Sequence, residues 1–81
     1  MDLVDLTETL VKALVKDKEA VSVKELEIEE DYILIQVLTN KENMGAIIGR
    51  RGNIANSIRT IVQAASYLHE NKKVKINIDS I

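Results

Sequence analysis

The chain contains neither cysteine nor proline among its 81 residues. Without cysteine it can form no disulfide, no thiolate metal site and no thiol nucleophile. Without proline, and without any stretch of low complexity, nothing marks a linker between two domains. The length of the chain, together with the lack of a linker, predicts a single small domain spanning residues 1–81, with one modest core.

Aromatic residues are almost as scarce, because the chain has two tyrosines, Tyr32 and Tyr67, and neither phenylalanine nor tryptophan. A site that recognised nucleotide bases by stacking would therefore have few rings to use. No apolar run approaches the ~20 residues needed to cross a bilayer. The first residues mix apolar side chains with charges, unlike a signal peptide. Together these features predict a cytoplasmic protein with no membrane partner.

Charge is divided unevenly along the chain, although the net charge is only −2. Residues 1–40 carry four lysines against ten acids, whereas residues 41–81 carry seven lysines and arginines against three acids. An acidic protein is a weak candidate for a polyanionic partner, but the basic half surrounds the tetrapeptide "GRRG" at residues 49–52. The choice of partner therefore depends on that segment.

Apolar periodicity predicts six elements. In chain order these are a helix at about 3–16, a strand at 21–29, a strand at 32–38, a short helix ending at Ile48, a long helix after Gly52, and a strand at 73–79. On the long helix the pattern places six apolar residues on one face: Ile54, Ile58, Ile61, Val62, Ala65 and Leu68. The order α-β-β-α-α-β predicts an α+β fold with three helices packed on one face of a three-stranded sheet.

Finer features of this pattern can also be predicted. The alternation slips between Val23 and Leu26, which indicates a bulge. Residues 32–38 are apolar on both faces, which is typical of a central strand or of one covered by a partner. Asp2 is a candidate N-cap for the first helix. Thr39 and Glu42 fit a capping box for the short helix.

The tetrapeptide must turn the chain sharply between two helices. Its glycines permit backbone angles that other residues resist, and they leave the peptide groups uncovered by Cβ atoms. The N–H groups of such a turn, next to the start of a helix, attract anions. Arg50 and Arg51 project two guanidinium groups at the same place. This combination predicts a contact with phosphate.

The stretch "IIGRRG", followed by an isoleucine-rich helix, resembles the signature of the K-homology (KH) domain, whose G-x-x-G loop clamps the backbone of about four nucleotides. The element order resembles the type II arrangement, and "IIGRRGNIANSIRTIVQAA" resembles the small single-domain proteins of the KhpA family. The resemblance covers essentially the whole chain. It implies a protein that binds single-stranded RNA without catalysis, cofactor or metal. It also implies a homodimer, or pairing with a larger KH-containing protein of the KhpB (Jag) type.

The same resemblance assigns roles by position. Gly49 and Gly52 match the clamp glycines, with Arg50 and Arg51 as the variable pair between them. The predicted RNA-binding residues as a set are Gly49, Arg50, Arg51, Gly52, Ile48, Ile54, Ile58 and Arg59. One departure is Ala55, because the wider KH signature often has a bulky aliphatic residue at that position, whereas here Ile54 precedes it by one.

The residues alone leave other interpretations open. A tight turn with solvated arginines accounts for the tetrapeptide, core packing accounts for the isoleucines, and a solvated or ion-paired side chain accounts for Arg59. The alternative function is a dimerisation or adaptor module that binds little RNA, which the two-faced strand at 32–38 favours. An enzyme has less support, because no nucleophile–base pair or carboxylate dyad can be placed near the glycine loop. His69, the single histidine, has neither a second histidine nor a cysteine as a partner.

Overall fold

A computed structural model describes residues 2–81 of the chain. Its six main elements are α1 (Leu3–Leu14), β1 (Ser22–Ile28), β2 (Tyr32–Thr39), α2 (Lys41–Ile48), α3 (Asn53–His69) and β3 (Lys73–Ser80). A short 3-10 turn, Lys18–Ala20, lies between α1 and β1. The predicted α+β class, with the order α-β-β-α-α-β and one three-stranded sheet, is confirmed.

The sheet has the strand order β1-β2-β3, so β2 is central. β1 pairs antiparallel with β2 across a short turn, whereas β3 pairs parallel because two helices carry the chain back before it begins. The predicted bulge is present, since the register shifts between Glu25 and Glu27. β3 is consequently an edge strand, and no strand within residues 2–81 lies on its outer side.

β2 buries one face against the helices and leaves the other partly open. Its buried residues are Ile33, Ile35, Val37 and Thr39, and its half-buried residues are Tyr32, Leu34, Gln36 and Leu38. The core joins the buried face to residues of all three helices, among them Val11 of α1, Ile47 of α2 and Val62 of α3. The prediction of a central strand is therefore confirmed, and its second apolar face is the open face of the sheet.

The buried side of α3 differs from the predicted one. It consists of Ala55, Ile58, Val62 and Ser66, which recur at steps of three and four residues. The prediction that Ile61 and Leu68 share this side is wrong, because they are 47% and 81% exposed. The small residues at both ends of the buried side carry little hydrophobic signal, so a pattern weighted by hydrophobicity misplaces the packed face.

The helix caps are partly as predicted. Asp2 caps α1, its Oδ1 accepting a hydrogen bond from the N–H of Val4 at 2.7 Å. The capping box beginning at Thr39 is wrong, because Asn40 caps α2 by accepting from the N–H of Asn43 at 3.0 Å. Thr39 ends β2 on its buried face, so the alternation of the strand turns its side chain into the core.

The end of α3 leaves the single histidine on the surface. His69 is exposed in the last helical turn, and Asn71 follows with φ 54 and donates its N–H to the carbonyl of Ser66 at 2.7 Å. Within residues 2–81 no group of three or more histidine or acidic side chains is placed to hold a metal ion. None of the helices described here is long and apolar enough to cross a membrane.

Candidate nucleic-acid interface

The turn between α2 and α3 requires glycine at both of its ends. Gly49 has φ 71 and ψ −175, and its N–H closes α2 by donating to the carbonyl of Gly45 at 3.0 Å. Gly52 is left-handed, with φ 76 and ψ 11. Arg51 is also left-handed, with φ 56 and ψ 25, a conformation that costs an L-residue with a side chain roughly 1–2 kcal/mol. The loop therefore holds an arginine in a strained conformation between two unstrained glycines.

Both loop arginines are exposed. The one salt bridge recorded among residues 2–81 joins Lys12 to Glu8 within α1, so neither Arg50 nor Arg51 is held by an ion pair there. Gly52 precedes α3 and supplies no capping side chain, which leaves the first N–H groups of a 17-residue helix without a side-chain acceptor. Two free guanidinium groups thus lie beside the positive end of a helix dipole.

The loop is supported from below by Ile54, which is half-buried and packs against the backbone of Gly49. Ala55, the next residue, is 1% exposed and belongs to the packed side of α3. The shift of the bulky aliphatic residue by one position therefore places an isoleucine under the loop. Ile48 is half-buried at the end of α2.

α2 is held in place by a buried asparagine. Asn43 is 2% exposed, and its Nδ2 donates to the carbonyl of Asp17 at 2.8 Å and to Oγ1 of Thr39 at 2.9 Å. Its Oδ1 accepts from the N–H of Asp17 at 3.4 Å. This one side chain joins α2 by hydrogen bonds to the segment after α1 and to the end of β2. It thereby fixes the position of α2, and with it the position of the loop that follows α2.

On the other side of the loop, α3 runs along the free edge of β3. Nε and Nη2 of Arg59 each donate to the carbonyl of Ile76 at 3.3 Å, while Nη1 donates to Oδ1 of Asn56 at 3.2 Å. One turn later, Gln63 accepts from the N–H of Val74 and donates to the carbonyl of Lys72, both at 2.9 Å. Part of the outer edge of β3 is thereby paired with side chains of a helix.

The remainder of that edge is open. The contacts of Val74 and Ile76 show that even-numbered residues of β3 turn their peptide groups outward, and the period of two extends this to Ile78. No side chain among residues 2–81 binds the peptide groups of Ile78. Because Gln63 meets Val74 and Arg59 meets Ile76, the start of α3 lies toward Ile78. The surface from the loop to Arg59, here called the groove, therefore has α3 on one side and unpaired peptide groups of β3 on the other.

The structure brings seven of the eight predicted residues to this groove or its loop. The loop residues and Ile48 form one end, Ile54 lies beneath them, and Arg59 marks the far end. Ile58 is different, because it is 3% exposed in the core and can only support the groove from within. Sequence reasoning missed the edge of β3, Asn56 and Gln63. The available signal was the polar stripe of Asn56, Arg59 and Gln63 on one side of a helix.

The family model described as "KhpA/KhpB, KH domain" matches residues 4–78. The chain belongs to this family. It is 42% identical over 74 residues to the RNA-binding protein KhpA of Clostridium perfringens, covering 91% of this chain and 96% of that one. It is 36% identical over 75 residues to the RNA-binding protein KhpA of Borreliella burgdorferi, covering 93% and 89%. The family resemblance inferred from the loop and its helix is thereby confirmed.

The fold also matches solved structures of Era. One is a crystal structure of Aquifex aeolicus Era, similar with a TM-score of 0.76 at 15% identity over 98% of this chain and 30% of that chain. Another is Era in complex with MgGDPNP and nucleotides of 16S ribosomal RNA, with a TM-score of 0.69 at 17% identity, covering 96% and 29%. This chain thus spans less than a third of Era, and the likeness concerns the fold alone.

Proposed function

We propose that the protein binds single-stranded RNA, without catalysing a reaction, by holding backbone phosphates at the loop of residues 49–52 and bases in the adjoining groove. The observation that carries the proposal is the pair of exposed arginines, Arg50 and Arg51, which lie between two glycines of positive φ and have no ion-pair partner within residues 2–81. The relatives in C. perfringens and B. burgdorferi, which match about nine-tenths of this chain, are named RNA-binding proteins. Their names support the same class of ligand.

The phosphate contact follows from the local backbone. Glycine at positions 49 and 52 lets a phosphate approach the peptide groups without meeting a Cβ atom. The uncapped first turn of α3 supplies N–H donors and the positive end of its dipole. Arg50 and Arg51 add two charge-assisted donors, which are about twice as strong as neutral hydrogen bonds. The strand is thus held by charge and by backbone amides, neither of which reads its sequence.

The bases would then lie over aliphatic side chains and against the open edge of β3. Ile48 and Ile54 provide apolar contact near the loop, and the outward peptide groups of Ile78 provide a donor and an acceptor for base edges. Arg59 closes the groove with a guanidinium that is only partly used by its 3.3 Å contacts with Ile76. Because the sequence contains only two tyrosines and neither phenylalanine nor tryptophan, we expect the isolated groove to bind weakly.

Association would raise this affinity. We propose that the protein forms a homodimer in the cytoplasm, or pairs there with a larger KH-containing protein of the KhpB (Jag) type. Apolar surface is available on the open face of the sheet, at Leu34 and Leu38, and on α3, at Ile61 and Leu68. Two linked sites raise avidity without any new contact. The same surfaces favour the second candidate function, a dimerisation or adaptor module that binds little RNA.

A double charge reversal separates these functions. Replacing Arg50→Asp and Arg51→Asp keeps both glycines, so we expect a melting temperature close to that of the wild type and loss of RNA binding. A matched control, Lys16→Asp with Lys24→Glu, makes the same change in net charge at two exposed positions outside the loop. Binding of a labelled single-stranded RNA is measured by fluorescence anisotropy. If the loop variant folds normally and binds as tightly as the wild type, the loop is a structural turn and the assignment of the RNA site to it is wrong. If the wild type itself binds little RNA, the adaptor function stands instead.

A further inference from the structure

We infer that a second nucleotide-binding site lies beyond Arg59, along the line where α3 meets β3, and that it takes the continuation of the same single strand of RNA. This line, here called the α3–β3 seam, includes Arg59, Gln63 and Tyr67 of α3, Val74 of β3, and Tyr32, Lys73 and Lys75 on the far side of the β3 edge. The inference rests on the RNA-binding function proposed above, and it extends the bound length.

Two shallow hollows form the seam. The first, of about 440 Å³, is lined by residues that include Gln63, Tyr67 and Val74. The second, of about 500 Å³, is lined by residues that include Tyr32, Lys73 and Val74. Arg59 and Val74 line both, so the hollows meet at the edge of β3. Each falls within the roughly 300–1,000 Å³ typical of small-ligand sites, which is enough space for a base.

The seam concentrates the aromatic residues of the chain. Only two aromatic side chains exist, and one lines each hollow. Tyr67 is 53% exposed, and Tyr32 is half-buried on the open face of the sheet. An exposed ring beside a cation is the arrangement on which a base stacks, and such stacking tolerates any base because every base has a π-face.

The charge of the seam selects a polyanion over a peptide. Arg59, Lys73 and Lys75 line it, and no aspartate or glutamate in the described part of the chain does, although the whole chain carries more acids than bases. Lys73 and Lys75 alternate along β3, so both project from the same face of the sheet as Tyr32, with which Lys73 is paired in register. A nucleic-acid backbone satisfies these cations, while the tyrosines meet its bases.

The seam also begins where the first site, at the loop and the adjoining groove, ends. α3 starts at the loop and passes the β3 edge at Arg59, and the eight steps along the helix from Arg59 to Tyr67 cover about 12 Å. Gln63 and Arg59 already occupy the N–H of Val74 and the carbonyls of Lys72 and Ile76, so the strand edge offers few free groups to bases here. The seam should therefore add affinity through stacking and charge without adding base preference.

The test compares RNA lengths in the wild type and in Tyr67→Leu, with Tyr67→Phe as the variant that retains a ring. The oligonucleotides are of about four nucleotides, the length that the loop groove holds, and about twice that length. Because the chain lacks tryptophan, tyrosine fluorescence reports directly on the two rings of the seam. Binding is followed by fluorescence quenching and by anisotropy, and the melting temperature of each variant is recorded.

We expect the longer RNA to quench tyrosine fluorescence and to bind Tyr67→Leu about tenfold more weakly than the wild type, given the usual strength of base stacking. Tyr67→Phe should bind like the wild type, and the shorter RNA should bind all three proteins equally. If the wild type and Tyr67→Leu bind the longer RNA equally tightly, the proposal of a nucleotide site in the seam is wrong, whereas the proposed site at the loop is unaffected. If the wild type binds neither length, the RNA-binding function itself fails, and the seam fails with it.

A second variant tests the seam independently of whether Tyr67→Leu folds. Lys73→Gln with Lys75→Gln removes two exposed charges and no packed side chain. If this variant binds the longer RNA more weakly than the wild type but binds the shorter RNA equally well, the result supports a binding site in the seam. Unchanged affinity for both lengths, or equal weakening of both, overturns it, because charges in the seam would then not act on the added nucleotides alone.

Discussion

Ile54 occupies the space in which a side chain at position 49 would begin. A Cβ atom built on Gly49 would lie 2.5 Å from Cγ1 of Ile54 and 2.8 Å from its Cδ1. The end of α2 therefore rests directly on the first turn of α3. This contact determines how the loop of residues 49–52 is placed relative to the N-terminus of α3.

Gly49→Ala should consequently be strongly destabilising. The new methyl group meets Ile54 and also forces a positive φ on alanine, so we expect a loss of about 2–4 kcal/mol in the free energy of unfolding. Urea denaturation measures this loss. Gly45→Ala, within α2 itself, is the matched control, because no neighbouring atom among residues 2–81 lies within 4 Å of its Cβ position and its φ is ordinary. It should stabilise by about 0.5–1 kcal/mol. Equal effects of the two substitutions would contradict the packing of Ile54 on Gly49.

Arg51 and Arg50 should respond to glycine with opposite signs. Arg51→Gly removes a left-handed arginine and should stabilise the fold by about 1 kcal/mol, while weakening RNA binding through the lost charge. Arg50 does not have a positive φ, so Arg50→Gly should lose stability through the greater backbone entropy of glycine. Thermal denaturation measures the stability of both variants, and an RNA titration measures the affinity of each. Together they test whether the strained arginine lowers stability while it raises RNA affinity. Destabilisation by Arg51→Gly would show that the loop stores no strain there.

Asn43→Ala should destabilise the fold more than most polar substitutions do. The change removes the partner of the part-buried carbonyl and N–H of Asp17 and of the buried hydroxyl of Thr39, so we expect a loss of about 2–3 kcal/mol. Asn40→Ser serves as the control, since serine is an equally good N-cap. Hydrogen exchange of the α2 amides should quicken in the Asn43 variant. Unchanged exchange there would mean that Asn43 does not anchor α2.

RNA affinity should depend modestly on salt. Phosphate contacts from Arg50, Arg51 and Arg59 release about three counterions, which predicts a slope of log affinity against log salt of roughly −2 at ~0.7 per contact. Anisotropy titrations at several salt concentrations give the slope. Replacing Arg50 alone by glutamine should reduce its magnitude by about 0.7. A slope near zero is incompatible with a phosphate clamp.

Self-association should be visible in sedimentation equilibrium at micromolar concentration. Two apolar surfaces remain to be covered, and a chain this small gains stability by burying more of its surface. Leu68→Glu, at a position that is 81% exposed, tests the surface on α3, and Leu34→Lys tests the open face of the sheet. The substitution that yields a monomer identifies the interface. A wild type that stays monomeric at high micromolar concentration contradicts the dimer.

The sequence by itself determined the local features. Periods of about 3.6 and 2.0 residues set the order of helices and strands, and the phase slip near Leu26 revealed the bulge. The glycines at 49 and 52 revealed a turn of positive φ, and the arginines between them indicated an anion. These features depend on neighbours in the chain and on the intrinsic conformations of single residues, so they can be read without the fold.

Only the tertiary structure decided which side of α3 is packed and what the other side meets. The pairing of Gln63 with Val74, of Arg59 with Ile76 and of Ile54 with Gly49 depends on how a helix lies against a strand edge or a loop. Small residues on the packed side carry little hydrophobic signal, and backbone groups of an edge strand carry none. Contacts of this kind depend on the closure of the whole chain around one core, and periodicity along the chain does not encode them.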